Sequence, residues 1–154
     1  MSWLLDVNLI LASRWTTHPD HSAAKAWINA LDKFYTTAIT ELGFVRISLS
    51  AAYLATWDEA QETLKKLHAR SGHQFLADDV DGRAAPETGS KDTTDAHLVT
   101  WPMECAAITP QAEAKRHGMK LATLDSGLIG KPWAAGIAEN PLLSPKPSST
   151  SGQH

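Results

Sequence analysis

The chain has 154 residues, 43% of them hydrophobic, with a formal net charge of −3. That length supports one domain with its own core and excludes two comfortable ones. A single cysteine, Cys105, excludes an internal disulfide framework or a thiolate metal site, no stretch approaches the roughly 20 apolar residues of a membrane span, and the acidic balance excludes a generally basic nucleic-acid sleeve.

The opening "SWLLDVNLILASRW" starts with a short apolar run ending on Asp6 and continues with Val7, Ile10 and Leu11 at helical spacing, which predicts a strand followed by a helix. It has no basic leader region, so the expected compartment is the cytoplasm, with no membrane partner. "HPDHSAAKAWINAL" gives a Pro and Asp start signal and then an Ala-rich helix. "KFYTTAIT" is aromatic and β-branched and predicts a strand. It runs into "ELGFVRISLS", where Leu42, Val45 and Leu49 keep helical spacing with Thr40 as N-cap. "TWDEAQETLKKLHAR" sets Thr56 and Glu59 in capping-box register, with acids in the first turn and bases in the last, and predicts a helix.

"HQFLAD" predicts a short strand, "DDVDGRAAPETGSKD" a polar loop, "TTDAHLV" a helix capped by Thr93 or Thr94, and "MKLATLD" a strand ending on Asp125. The ending "SPKPSSTSGQH" has the Pro and Ser composition of a disordered terminus, so the expected domain covers 1–142 and the tail 143–154. Alternating strands and helices predict an α/β fold, a central, mostly parallel sheet of four to five strands with helices on both faces. In such sheets, sites form beyond the carboxyl ends of the strands.

Asp6 is the residue that demands an explanation. It is flanked by Leu4, Leu5, Val7, Leu9 and Ile10, where an unpaired carboxylate costs several kcal/mol or takes up a proton. Asp125 occupies the matching place at the end of a later strand, while Glu41 and Asp95 read on their own as ordinary first-turn helix acids.

In this order and at these separations, "LLDVNLILA", "ITELGFVR", "TTDAHLV" and "KLATLDSGL" resemble the four acidic signatures of the PIN-domain family, and within it the VapC toxins of bacterial toxin-antitoxin pairs. The resemblance covers the chain up to about Leu128. It implies a PIN-like three-layer sandwich and a Mg2+- or Mn2+-dependent endoribonuclease toxin. The implied partners are an RNA substrate of the tRNA or rRNA class, a cognate VapB-like antitoxin and a second copy in a homodimer. The family's catalytic, metal-binding acids fall on Asp6, Glu41, Asp95 and Asp125. Asn8 matches a supporting polar position, and Thr123 shares a strand face with Asp125, where a hydroxyl could hold that carboxylate.

Electrostatics leads to the same ion. Two carboxylates about 5 Å apart repel by roughly 3 kcal/mol at an effective dielectric near 20, so four together require a cation or shifted pKa values. All-oxygen ligands favour Mg2+ or Mn2+ over Zn2+. Setting those four aside leaves 13 acids against 14 Lys and Arg, so a loaded site need not repel phosphate.

Other candidates have plainer explanations. Asp92 reads as a cap or loop residue near Asp95, "DDVDG" lacks the pattern of a calcium loop, and His18 and His21 bracket a helix start. His97 follows Asp95 by two and would face elsewhere on a helix. Trp27 and Trp57 fit amphipathic packing, while Trp15 fits either packing or base stacking. Arg14, Arg46 and Lys91 are candidates for phosphate contact. The segment from Trp101 to Gln111, with Pro102 and Pro110, departs from the family pattern. With the acidic balance, it motivates the alternative of a catalytically silent PIN-like module that binds RNA or protein.

Overall fold

A computed structural model describes residues 2–77, 89, 91, 94–95, 98–99 and 119–143. The expectations for Asp92, His97, Cys105, the 101–111 segment and the 144–154 tail lie outside the described residues, as does nearly all of the "DDVDG" loop.

Among the described residues the strands are β1 (Ser2–Leu5), β2 (Phe34–Thr37), β3 (His73–Leu76), β4 (Met119–Ala122) and β5 (Ala138–Glu139). They form one sheet in the order β3-β2-β1-β4-β5, with every neighbouring pair parallel. The helices are α1 (Val7–Arg14), α2 (His21–Asn29), α3 (Ala38–Ser48), α4 (Trp57–His68) and the short α5 (Ser126–Ile129), with a 3-10 turn at Pro132–Ala134. This is the α/β architecture expected from the alternation. Two short elements were not among those expected from the sequence, β5 with two residues and α5 with a single turn.

Strand side chains alternate faces, so adjacent residues supply different cores. Leu5, Phe34 and Ala122 face a core closed by α1 to α4, including Leu9, Ile10, Ile28, Phe44 and Leu67. Leu4, Tyr35 and Leu121 face a second core with Leu98, Val99, Leu128 and Ala134. The centre of the sheet is therefore covered on both faces, while the edge strand β3 exposes Gln74 and Phe75. No helix among the described residues is long and apolar enough to cross a membrane.

Two starts differ from expectation or refine it. The helix α3 begins at Ala38, with Thr37 as N-cap and Thr40 at the third helical position, the two threonines bonding reciprocally. Either hydroxyl can cap, and the earlier start joins β2 to α3 without a loop. At α4, Thr56 and Glu59 form the predicted capping box. The tryptophans divide: Trp15 stacks on Phe44 at 5.8 Å and donates from Nε1 to Ser48, and Trp27 meets Trp3 edge-on, both packing roles. Trp57, expected in packing, is 58% exposed.

Candidate metal centre and cleft

The end of β1 and the segment after β4 lie side by side, because β1 and β4 pair in register from Ser2 opposite Met119 to Leu5 opposite Ala122. The next residues are Asp6 and Thr123. Asp6 is the N-cap of α1: its Oδ1 accepts from Val7 N at 2.7 Å, and its Oδ2 accepts from the Thr123 hydroxyl at 2.6 Å. Asn8 completes the cradle, donating from Nδ2 to Thr123 Oγ1 at 3.1 Å and accepting Leu124 N at 3.0 Å. The proposed hold of Thr123 on the Asp125 carboxylate is thus corrected. Its single proton goes to buried Asp6, and its oxygen accepts the backbone N–H of Asp125.

Asp125 caps α5, taking Gly127 N and Leu128 N on Oδ1, so the cap does not use Oδ2. Asp95 is helical, next to Thr94 and one turn before Leu98, which anchors that segment in the second core. These three acids share one cleft of about 600 Å³. Burial pushes the Asp6 carboxyl up to about 6; bonds from Thr123 and Val7 oppose this, and the charges of Asp95 and Asp125 add to it. Asp6 is therefore close enough to sense both Asp95 and Asp125.

The cleft wall also carries Arg46 of α3 and Lys91, while Ile39, Leu42 and Ile47 give it an apolar shoulder. Its width is set partly by Gly43: a Cβ there would fall 2.7 Å from Val7 Cγ2, so the glycine lets α3 close on α1. A smaller adjoining pocket brings Lys131 and Trp133 to Asp95, Asp125 and Lys91. Arg14 is elsewhere, its Nε buried without a hydrogen-bond partner among the described residues.

Glu41 is not on this wall. Its Oε1 accepts from Thr36 at 2.5 Å and lies 2.6 Å from His68 Nε2 and 3.9 Å from His73 Nε2. The carboxylate is held toward the β3 side of α3, so the structure gathers three of the four expected acids around one cleft and the fourth among histidines. His68 and His73 were passed over in the sequence. Their only signal was two histidines flanking the turn "ARSG" between a helix and a strand. His18 and His21 serve local roles, accepting Asp20 N and contacting Ala12 O.

The residues at the cleft suit a hard dication. Asp6, Asp95, Asp125 and Asn8 offer oxygen ligands, and the described wall contains no sulfur or imidazole.

No family model matches the chain. Among characterised proteins it is similar to Ribonuclease VapC38 of Mycobacterium tuberculosis, 36% identical over 134 residues, covering 82% of this chain and 86% of that protein. Ribonuclease VapC39 of the same species is 31% identical over 150 residues, covering 90% and 99%, and Ribonuclease VapC29 is 30% identical over 132 residues, covering 83% and 89%.

Proposed function

Because the chain belongs to the VapC ribonuclease family, we propose that it is a toxin endoribonuclease that hydrolyses RNA at the Asp6–Asp95–Asp125 cleft with Mg2+ or Mn2+. The observation that carries this reading is the meeting of buried Asp6 with Asp95 and Asp125 on the wall of one cleft. Asp6, Asp95 and Asp125 hold the ion, which when bound neutralises phosphate charge and acidifies water. Thr123 and Asn8 position Asp6 through their hydrogen bonds.

The chain's own residues supply the remaining work. Arg46 and Lys91 take phosphate oxygens and fix the backbone in the cleft. Water gives up a proton to solvent and attacks phosphorus, one P–O bond forms, and the bond to the departing sugar oxygen breaks in line as that oxygen takes a proton from solvent. Lys131 and Trp133 extend the contact along the strand, one by charge and the other by base stacking. The reaction takes place in the cytoplasm on RNA of the tRNA or rRNA class.

An acidic cleft with an apolar shoulder at Ile39, Leu42 and Ile47 also suits an inhibitory antitoxin. It would lay an amphipathic segment on the shoulder and an arginine among the acids. The active form is a homodimer. Two assays test the reading. Purified protein cleaves RNA in Mg2+ or Mn2+, stops in chelator and resumes on adding the ion back. Coexpression with the product of the adjacent gene yields a complex whose mass fits toxin and antitoxin copies; cleavage indifferent to chelator, or a solitary monomer, contradicts it.

A further inference from the structure

Glu41, His68 and His73 come from three separate elements, α3, the end of α4 and the start of β3, yet one ligand atom from each lies within 4.8 Å of the others. We propose that they form a second, transition-metal site, separate from the acidic cleft, that takes Zn2+ through Glu41 Oε1 and the Nε2 atoms of His68 and His73.

The spacing fits. Ligands at about 2.0–2.1 Å from a tetrahedral zinc stand roughly 3.3 Å apart, and each pair here is within ~1.5 Å of that, a change side-chain rotation supplies. The shortest pair, Glu41 to His68, is 2.6 Å, and Glu41 to His73 is 3.9 Å. The rings of His68 and His73 are 4.4 Å apart, so both imidazoles already crowd one point. Two imidazoles and one carboxylate match zinc's nitrogen and oxygen preferences and leave a fourth position for water.

The scaffold holds the donors in place. Gly72, just before His73, fits where a Cβ would lie 2.5 Å from Asp32 O, and Gly72 O accepts Phe34 N. Thr36 donates to Glu41 and contacts His73 Nε2 at 2.7 Å, orienting both. On loading, Thr36 keeps Glu41, while His73 carries its proton on Nδ1 and gives Nε2 to the ion. The His73 side chain is 4% exposed and that of His68 is 42% exposed, so an ion reaches a mostly buried site from the His68 side. The chemistry contrasts with the oxygen-lined cleft, and the two sites select different ions.

The test is calorimetric titration of metal-stripped full-length protein with Zn2+ in excess Mg2+, with Co2+ absorption reporting nitrogen ligation. One equivalent binds, with Tm raised by about 5–10 °C at a hundredfold excess over Kd. Binding weakens at least 100-fold in His68→Gln, whose exposed position spares the fold, and persists in Asp6→Asn. Absence of Zn2+ binding, retention in His68→Gln or loss in Asp6→Asn overturns the site.

Discussion

The Thr123 hydroxyl lies 2.6 Å from Asp6 Oδ2, joining residues 117 positions apart through the parallel pairing of β1 and β4. The bond places a neutral donor against a carboxylate that burial disfavours. It is the most direct link between sheet register and the chemistry of the cleft.

Removing that donor while keeping the side chain's shape separates positioning from packing. Thr123→Val leaves a buried carboxylate oxygen without its partner and removes the acceptor for Asp125 N and Asn8 Nδ2. Mg2+ affinity and kcat/KM fall by about 10–100-fold. Titration of cleavage rate against Mg2+, with circular dichroism confirming the fold, checks this; an unchanged Mg2+ dependence counts against the role.

The raised carboxyl of Asp6 makes stability depend on pH in a direction unusual for an acid. Folded Asp6 titrates near 6 against an ordinary value of 3.8, so between these values the folded chain holds a proton that the unfolded chain has released. The effect on stability is absent below about pH 4, develops as pH rises to about 6, and leaves the metal-free protein roughly 3 kcal/mol less stable above that. Urea denaturation in chelator across this range, compared with Asp6→Asn, isolates the contribution. Saturating Mg2+ binds the ionised form and stabilises the protein more at pH 7.5 than at pH 5.

Arg46 and Lys91 line the cleft, and in the proposed role of phosphate contacts their loss weakens binding uniformly across sequences. Arg46→Ala and Lys91→Ala each raise KM and reduce the slope of log affinity against log salt by about one. RNA-binding isotherms at several salt concentrations read this out. Unaltered slopes would remove both residues from the phosphate track.

The sequence showed part of this site clearly, for a local reason. Asp6 directly follows β1 and is legible from the apolar run that leads into it, whereas β4 stops at Ala122 and Asp125, expected at the strand's end, lies three residues beyond it as the cap of α5. The surroundings of Glu41 did not show, because Thr36, His68 and His73 come from three elements, and which side of α3 the carboxylate takes depends on how α4 and β3 pack beside it. The bond from Thr123 was misassigned for a similar reason. Strand alternation gives the face of a hydroxyl, but its nearest partner sits on the neighbouring strand. The start of α3 moved because Thr37 and Thr40 can each act as a cap, and the backbone turns helical directly after β2, where the Thr37 side chain accepts Thr40 N.

The central claim is that three acids, distant in sequence, converge on one ion that cuts RNA. The most direct measurement is the single-turnover cleavage rate of a defined RNA in saturating Mg2+ for wild type and for folded Asp6→Asn and Asp125→Asn. A fall of about 1,000-fold or more in both variants is expected, since each loses a ligand charge needed in the transition state. Rates within a few-fold of wild type in either variant would contradict the account.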